Sequence, residues 1–599
     1  MKKGLDYYIE QKEKNEKLVL ALKKDISKVS YLRLADFVLG LGTSIYTYTL
    51  GQYAIFGAVT LLWIGLFIYL IKLHEVLLDK KSFAEALISI NSRGIDRIKG
   101  TWNTFKDDGK EFTETEHPYC TDLDITGHSS LFQWTNTSFT YMGRLRLRDY
   151  LLNPLKDKLL IKKRQEAVRE LSGEIEWRQQ LNAEGMLISE KSRDPKELLQ
   201  WVSTPVEKGS IVSLIVTNIL TLTILTAIFL VAFTRLLSYK YLLLAAAVNF
   251  LVLALGSRKR NENLDTVHKY KDGIRVYERM IKSIEDKEFK SEAAEELKRR
   301  FETENKVKAS VVIRELKAVA DLLADRANMA YIIIDIMFLW DYRTERMLKK
   351  WKSNYGRYFE GWLEALGEVE ALCSLSNIAF ENEKWCFPEI GAGGPVLQAE
   401  NLGHPLLGDK RVCNDITIKE KGSVVLITGS NMSGKSTFLR TVGINLILSY
   451  CGAPVCASGF KCSLMEVYTC MRVSDNLEKS ISSFYAEILR IKMIVNASRE
   501  NINIFFLLDE IFKGTNSIDR HQGAKVLIKQ LSRCGASGLV STHDLELGEM
   551  EKESPRIFNY NFQEYYEAGE LRFDYRLRKG ISQTRNAMHI IRLAGIDIE

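Results

Sequence analysis

Two short segments could together hydrolyse a nucleotide. Residues 429–437 read GSNMSGKST, and residues 505–510 read FFLLDE. Gly429, Gly434, Lys435 and Ser436 fit the pattern G-x-x-x-x-G-K-[ST]. In such a loop the glycines let backbone N–H groups curl around phosphate oxygens, and the start of the following helix adds positive potential. Ser430, Asn431, Met432, Ser433 and Thr437 complete the candidate nucleotide contacts. Lys435 would reach the β- and γ-phosphates, and the Ser436 hydroxyl would sit on Mg²⁺. Asp509 would hold the same Mg²⁺, directly or through water, and Glu510 would act as general base on the attacking water. A third apolar run, Leu539 to Thr542, ends in His543, which there can sense the γ-phosphate and help place the water. ATP and Mg²⁺ are the ligands this chemistry implies.

The elements that must position these residues are legible nearby. An apolar, β-prone run, Val424 to Ile427, precedes the glycine loop, and apolar residues at helical spacing (Phe438, Leu439, Val442, Leu446) come after it. Ile504 to Leu508 reads as a buried parallel strand that delivers Asp509 and Glu510 at its C-terminal end. The expected fold is therefore an α/β P-loop nucleotidase at the C-terminal end.

These segments, taken with their flanks, resemble the ATPase domain of MutS proteins. The run NDITIKEKGSVVLITGSNMSGKSTFLR carries the Asn-Met of that family's loop, and LLDEIFKGTNSID resembles its D-E-I-x-x-G-T-x-x-x-D segment. SISSFYAEI resembles the S-T-F-x-x-E helix start, LVSTHD the strand-to-histidine segment, and YRLRKGISQTRNAMHIIRLAGI the closing stretch. A weaker likeness to the all-α MutS core runs from residue 123 to 171 and again over 361–380. The resemblance implies an ATP hydrolase that works as a homodimer, with Ser482 acting in trans on the partner's γ-phosphate. It also implies aromatic stacking on adenine. Tyr575 falls where one stacking residue belongs, and Arg411 stands where the other is often aromatic. Arg411 would at most cover the second face with its guanidinium plane.

The chain departs from the family before residue 123. There is no room there for both a mismatch-reading domain and a connector, and three scattered Phe-x-Glu matches are at chance level. DNA is the partner the resemblance implies, in mismatch repair or at another DNA structure. A nucleotide-gated membrane scaffold that clamps a protein or lipid is the alternative. An ABC transporter is disfavoured because no LSGGQ-like signature lies between Lys435 and Asp509.

Composition fits several domains in a reducing compartment. The chain has 599 residues, a net charge of +7 and nine cysteines without a C-x-x-C pair, so the cysteines read as small buried hydrophobes. Four apolar runs are unusual. Phe37 to Ile71 contains 35 residues without a charged side chain, and the break at Gly51-Gln52 predicts spans near 31–50 and 53–72. Ile211 to Phe233 gives 23 uncharged residues and Tyr241 to Gly256 a further 16. Four spans as two hairpins would keep all soluble parts on one side. The eight lysines in residues 1–30 and the Arg258, Lys259, Arg260 cluster place that side in the cytoplasm of a multi-pass plasma-membrane protein. The expected organisation is a charged helix over 1–30, membrane hairpins over 31–73 and 209–257, helical core and lever regions over 74–208 and 258–394, and the ATPase domain over 395–599.

Overall fold

The computed structural model describes residues 2–189, 192–206, 211–234, 236–255, 257–323, 329–391, 396–430, 432–472, 483–500, 503–567 and 570–582. Its C-terminal part is built on a six-stranded sheet. In spatial order the strands are Arg578–Lys579, Ile557–Asn561, Val424–Thr428, Ser537–Thr542, Ile504–Asp509 and Glu466–Cys470. All neighbours run parallel except the short Arg578–Lys579 edge. Val424–Thr428 and Ser537–Thr542 are buried along their whole length, as parallel strands covered on both faces must be. Helices Lys435–Cys451, Ser483–Arg499 and Ser517–Arg533 belong to this unit. A second, four-stranded sheet (Glu389–Gly391, Gly459–Ser463, Leu397–Leu402, Asn414–Ile418) lies in the same part of the chain.

The helical body is organised along one long helix, Trp340–Glu381. At 42 residues it extends about 63 Å. Its C-terminal half is deeply buried, with Trp362, Leu366 and Glu370 essentially without solvent contact. The Glu370 carboxylate accepts the Phe139 and Thr140 backbone N–H groups at 3.0 and 3.2 Å, so the buried acid caps the start of helix Tyr141–Leu152. A side chain at Gly367 would fall 2.6 Å from the Met142 backbone, so glycine permits this close crossing. The stretches 123–171 and 361–380, far apart in sequence, thus pack into one core.

Two helical pairs leave this body. The first joins Lys2–Thr49 to Tyr53–Lys99 through a turn containing Gly51 (φ +72°). The charged start and the apolar run form one continuous helix of 48 residues, about 72 Å long. Its root is fixed to the end of the long body helix. The Arg97 guanidinium binds Glu381 at 2.8 Å, and the Tyr8 hydroxyl donates to the same carboxylate at 3.0 Å.

The second pair is Ile211–Phe229 and Tyr239–Ala254. A third apolar helix, Met329–Phe338, lies beside it and was not expected from the sequence. Asn249 donates to the Ile336 carbonyl at 2.7 Å, and Arg343 at the start of the long helix donates to Asn218 at 3.1 Å.

The expectation of four membrane spans is corrected. Among the described residues, two helices are long and apolar enough to cross a membrane, Tyr53–Lys99 and Val212–Ala232. The count rises to three if the bent pair Tyr239–Ala254 and Ser257–Lys269 acts as one. Two physical reasons account for the difference. Arg33 and Asp36 shorten the charge-free part of the first helix to 37–49, about 20 Å against a hydrocarbon core of ~30 Å. Tyr239–Ala254 has 16 residues and reaches only about 24 Å.

Candidate active site

The register of the sheet assembles the site. Thr428 pairs with Thr542, and Asp509 pairs with Ser541, so three adjacent strands end level with one another. The loop from Gly429, the pair Asp509-Glu510, and His543 therefore emerge at one sheet edge, the usual ligand edge of an open parallel sheet.

The glycine loop has the conformation its residues permit. Gly429 (φ +150°) and Gly434 (φ +103°) take positive φ values, and Gly434 caps helix Lys435–Cys451. A side chain at Gly429 would meet Ser433 Oγ at 2.8 Å and the Phe562 carbonyl at 3.0 Å. Met432 also has positive φ (+71°) and stands exposed on the loop. Ser433 Oγ is buried with no hydrogen-bond partner, an orphaned hydroxyl inside a loop of backbone donors. Such a cradle with an unused polar atom fits a phosphate group. Ser430 donates to Glu564 at 3.0 Å.

Lys435 lies buried under the loop, where its Nζ donates to the Gly429 and Ser430 carbonyls at 2.9 Å each and lies 3.6 Å from Glu510. Burial lowers the lysine's pKa against the opposing pull of Glu510 and Asp509. Glu510 sits in the left-handed region (φ +51°), and its N–H donates to the Ser541 carbonyl at 3.0 Å. Burial alone would raise its carboxyl pKa. The Lys513 ammonium at 3.1 Å, with Lys435 and His543, outweighs burial and holds it below the usual glutamate range. His543 Nδ1 is 3.8 Å from Glu510. Asp509 accepts a short hydrogen bond from the Ser541 hydroxyl. Lys435, Glu510 and His543 are thus together, with Asp509 ending the strand that leads into Glu510.

A cavity of about 710 Å³ opens over the loop, lined by Lys435, Ser436 and Thr437 on one side and Leu407, Val412 and Tyr575 on another. That volume is in the range of small-molecule and cofactor pockets. Tyr575 (φ +54°) stands at the mouth, its ring 3.0 Å from where a side chain at Gly434 would begin. Its carbonyl accepts from Asn414 Nδ2 at 3.0 Å, and its ring stacks on Phe573 at 6.1 Å. His404 also lines the cavity; burial, helped by Arg440, pushes its pKa down to about 4, so it is neutral near pH 7.

Arg411 does not take the place expected from the sequence. Its guanidinium lies 5.5 Å from the Trp385 ring, and Val412 lines the cavity instead. Asn431 and Ser482 lie outside the described residues. Lys513, beside Glu510, and Glu487, which accepts from the Phe512 N–H, are not among the residues the sequence points to. Lys513 was detectable as the i+3 position after Glu510. Glu487, within the SISSFYAEI segment, carried no signal of its contact.

Comparison with known proteins agrees with this architecture. Residues 425–598 match the family model for MutS domain V, which is an ATPase-type α/β domain. A DNA mismatch repair protein MutS from Persephonella marina is 25% identical over 504 residues, covering 78% of this chain and 57% of the relative. MutS from Aquifex pyrophilus is 30% identical over 239 residues, covering 39% of this chain and 28% of the relative. MutS from Fusobacterium nucleatum is 29% identical over 241 residues, with 39% and 26% coverage. Residues 425–598 thus match a MutS domain V, and the chain spans little more than half the length of the relative it matches most extensively among these three.

Proposed function

We propose that the chain is a membrane-anchored MutS-like ATPase that binds and hydrolyses ATP as a homodimer and couples hydrolysis to binding of DNA. The observation that carries the ATPase reading is the meeting of Lys435 and Glu510 in the lining of one cavity above the glycine loop, with His543 3.8 Å from Glu510. Lys435 now holds loop carbonyls and Glu510; triphosphate oxygens entering the loop would draw its ammonium away. That exchange frees the Glu510 carboxylate to accept a proton from water, with His543 beside it. Ser436 and Asp509 are the residues that would hold Mg²⁺, whose charge supplies stabilisation of the phosphate oxygens. Tyr575 would stack on the base. Ser482 would complete the site of the facing subunit. The boundaries set out above for the ATPase, core and hairpin regions belong to the same reading.

Membrane anchoring is supported by the outward face of the helices. Between residues 31 and 72 the first pair exposes Leu39, Ile45, Leu61, Ile64 and many more apolar side chains. Hydroxyls there bond inward: Thr43 to the Leu39 carbonyl at 2.8 Å, Thr47 to the Thr43 carbonyl at 3.0 Å, Thr60 to Ser44 at 3.0 Å. Thr217, Thr221 and Thr223 do the same in the second pair. Polar groups satisfied within the helices are what a hydrocarbon surrounding demands.

DNA coupling is inferred from the relatives, all of them DNA mismatch repair proteins. The apolar exterior favours a second reading, a nucleotide-gated membrane scaffold for a protein or lipid. Two experiments test these readings. Glu510→Gln keeps ATP binding and abolishes turnover, whereas Lys435→Ala weakens binding itself; turnover at the parent rate in Glu510→Gln would refute the catalytic assignment. Salt-dependent duplex binding by detergent-solubilised protein supports the DNA reading, and no duplex binding at low salt leaves the scaffold.

A further inference from the structure

The turn that aims Glu510 is held in an unfavourable backbone conformation, and its restraint comes from a helix outside the nucleotide loop. Two non-glycine residues within three positions take left-handed φ values, Glu510 at +51° and Phe512 at +61°. Each costs about 1–2 kcal/mol for an L-residue and persists only where neighbours over-determine it. Those neighbours are on two elements. Glu510 N–H is held by the Ser541 carbonyl at 3.0 Å, and Phe512 N–H by the Glu487 carboxylate. The Phe512 ring closes on Gly523, where a side chain would come within 3.3 Å of it.

Glu487 lies in helix Ser483–Arg499 and is 7% exposed. An acid so buried needs a reason. Burial raises its pKa, while the Phe512 N–H, the Lys513 charge and the Lys513 N–H favour its carboxylate form. The same helix touches the turn a second time. A side chain at Gly514 would fall 2.7 Å from Phe484 Cβ, so helix and turn meet without a gap.

We propose that Glu487 is a positioning residue for ATP hydrolysis: its carboxylate, with Phe484 against Gly514, ties helix Ser483–Arg499 to the turn that aims Glu510. This rests on the hydrolytic role proposed for Glu510. Displacing the helix then re-aims the carboxylate without touching the nucleotide loop.

The test uses the full chain in detergent, with turnover and the affinity for a fluorescent ATP analogue measured separately. Glu487→Ala lowers kcat by about 10²-fold, the scale of a misplaced catalytic group, while affinity stays within about twofold. Glu487→Gln keeps an oxygen for the Phe512 N–H and recovers at least about a tenth of parent kcat. The joint is also tested without changing Glu487. Gly514→Ala, which collides with Phe484 Cβ, lowers kcat with affinity intact, and adding Phe484→Gly, which removes that Cβ, restores part of it. Parent kcat in Glu487→Ala, or, should that variant fail to fold, no loss of kcat in Gly514→Ala or no recovery in the double variant, would overturn the positioning role. A parent chain that hydrolyses no ATP would overturn the proposed function itself, which is a different failure.

Discussion

The root and the tip of the first helical pair are built by the same two helices and obey opposite rules. In the root, Tyr8, Val19, Leu22 and Val29 turn inward, and Lys14, Lys17, Lys23, Lys24 and Lys28 face solvent. In the tip, Asp36, Gly40 and Ser44 turn inward while Phe37, Val38, Leu39 and Leu41 face out. The inward positions keep the same three-and-four spacing throughout, so the packing geometry does not change. The polarity inverts near the contact of Ser30 Oγ with His74 Nε2 at 3.2 Å. In water an apolar seam is favoured because it removes surface from solvent. In lipid that advantage disappears, and small or hydrogen-bonded residues let the helices approach. Under the proposed anchoring, the difference between the halves follows from a change of surroundings along a single rod.

The largest expected effect comes from reversing the tip's exterior. Leu39→Arg with Ile64→Arg places two charges on the apolar exterior that the proposed anchoring puts in lipid, each costing up to about 2.5–3.5 kcal/mol there. Labelling of a cysteine at Gln52 by an impermeant reagent outside the cell should collapse, while arginines at Leu18 and Leu20 in the root should leave it unchanged. Equal labelling in all three chains would break the comparison.

Next in size is the root's buried ion pair. Glu381→Ala strands Arg97 without its partner, and thermal unfolding in detergent should show a loss of about 3–5 kcal/mol. Asp36→Asn in the tip should be neutral or stabilising, because Asp36 Oδ1 is buried with no partner to lose.

The seam gives a finer contrast. A side chain at Gly40 would lie 2.9 Å from Trp63, whereas Gly42 faces open space. Gly40→Leu should cost about 1–3 kcal/mol and reduce disulfide formation between cysteines placed at Ser44 and Thr60; Gly42→Leu should leave that yield unchanged. The smallest effect is Thr60→Val, which loses one hydrogen bond to Ser44, about 0.5–1.5 kcal/mol by the same unfolding measurement.

Local chemistry is legible in the sequence where contiguous residues impose a conformation. The apolar run Val424 to Ile427, the glycines and the helical spacing after Lys435 are neighbours along the chain, and they form the strand, loop and helix they predict. Arg411 departs from expectation because its partner, Trp385, lies 26 positions away and on no shared element. Helix Met329–Phe338 gives no sequence signal because ten residues containing Asp335 match neither a span nor an amphipathic helix. Its hydrogen bond from Asn249 reveals its neighbours. The first helix fails as a span because Arg33 and Asp36 leave only 37–49 free of charge, while the inward direction of Asp36 depends on the partner helix.

By itself the sequence determined the glycine loop, the apolar strands and the lengths of the uncharged runs, all properties of contiguous residues governed by backbone freedom and solvent preference. The tertiary structure alone decided that Lys435 and Glu510, 75 positions apart, stand 3.6 Å from one another and that Glu487 reaches the turn between Glu510 and the next helix. Strand order in a parallel sheet is set by crossover connections and by packing on both faces, so no stretch of chain carries the information about which strand ends will lie side by side.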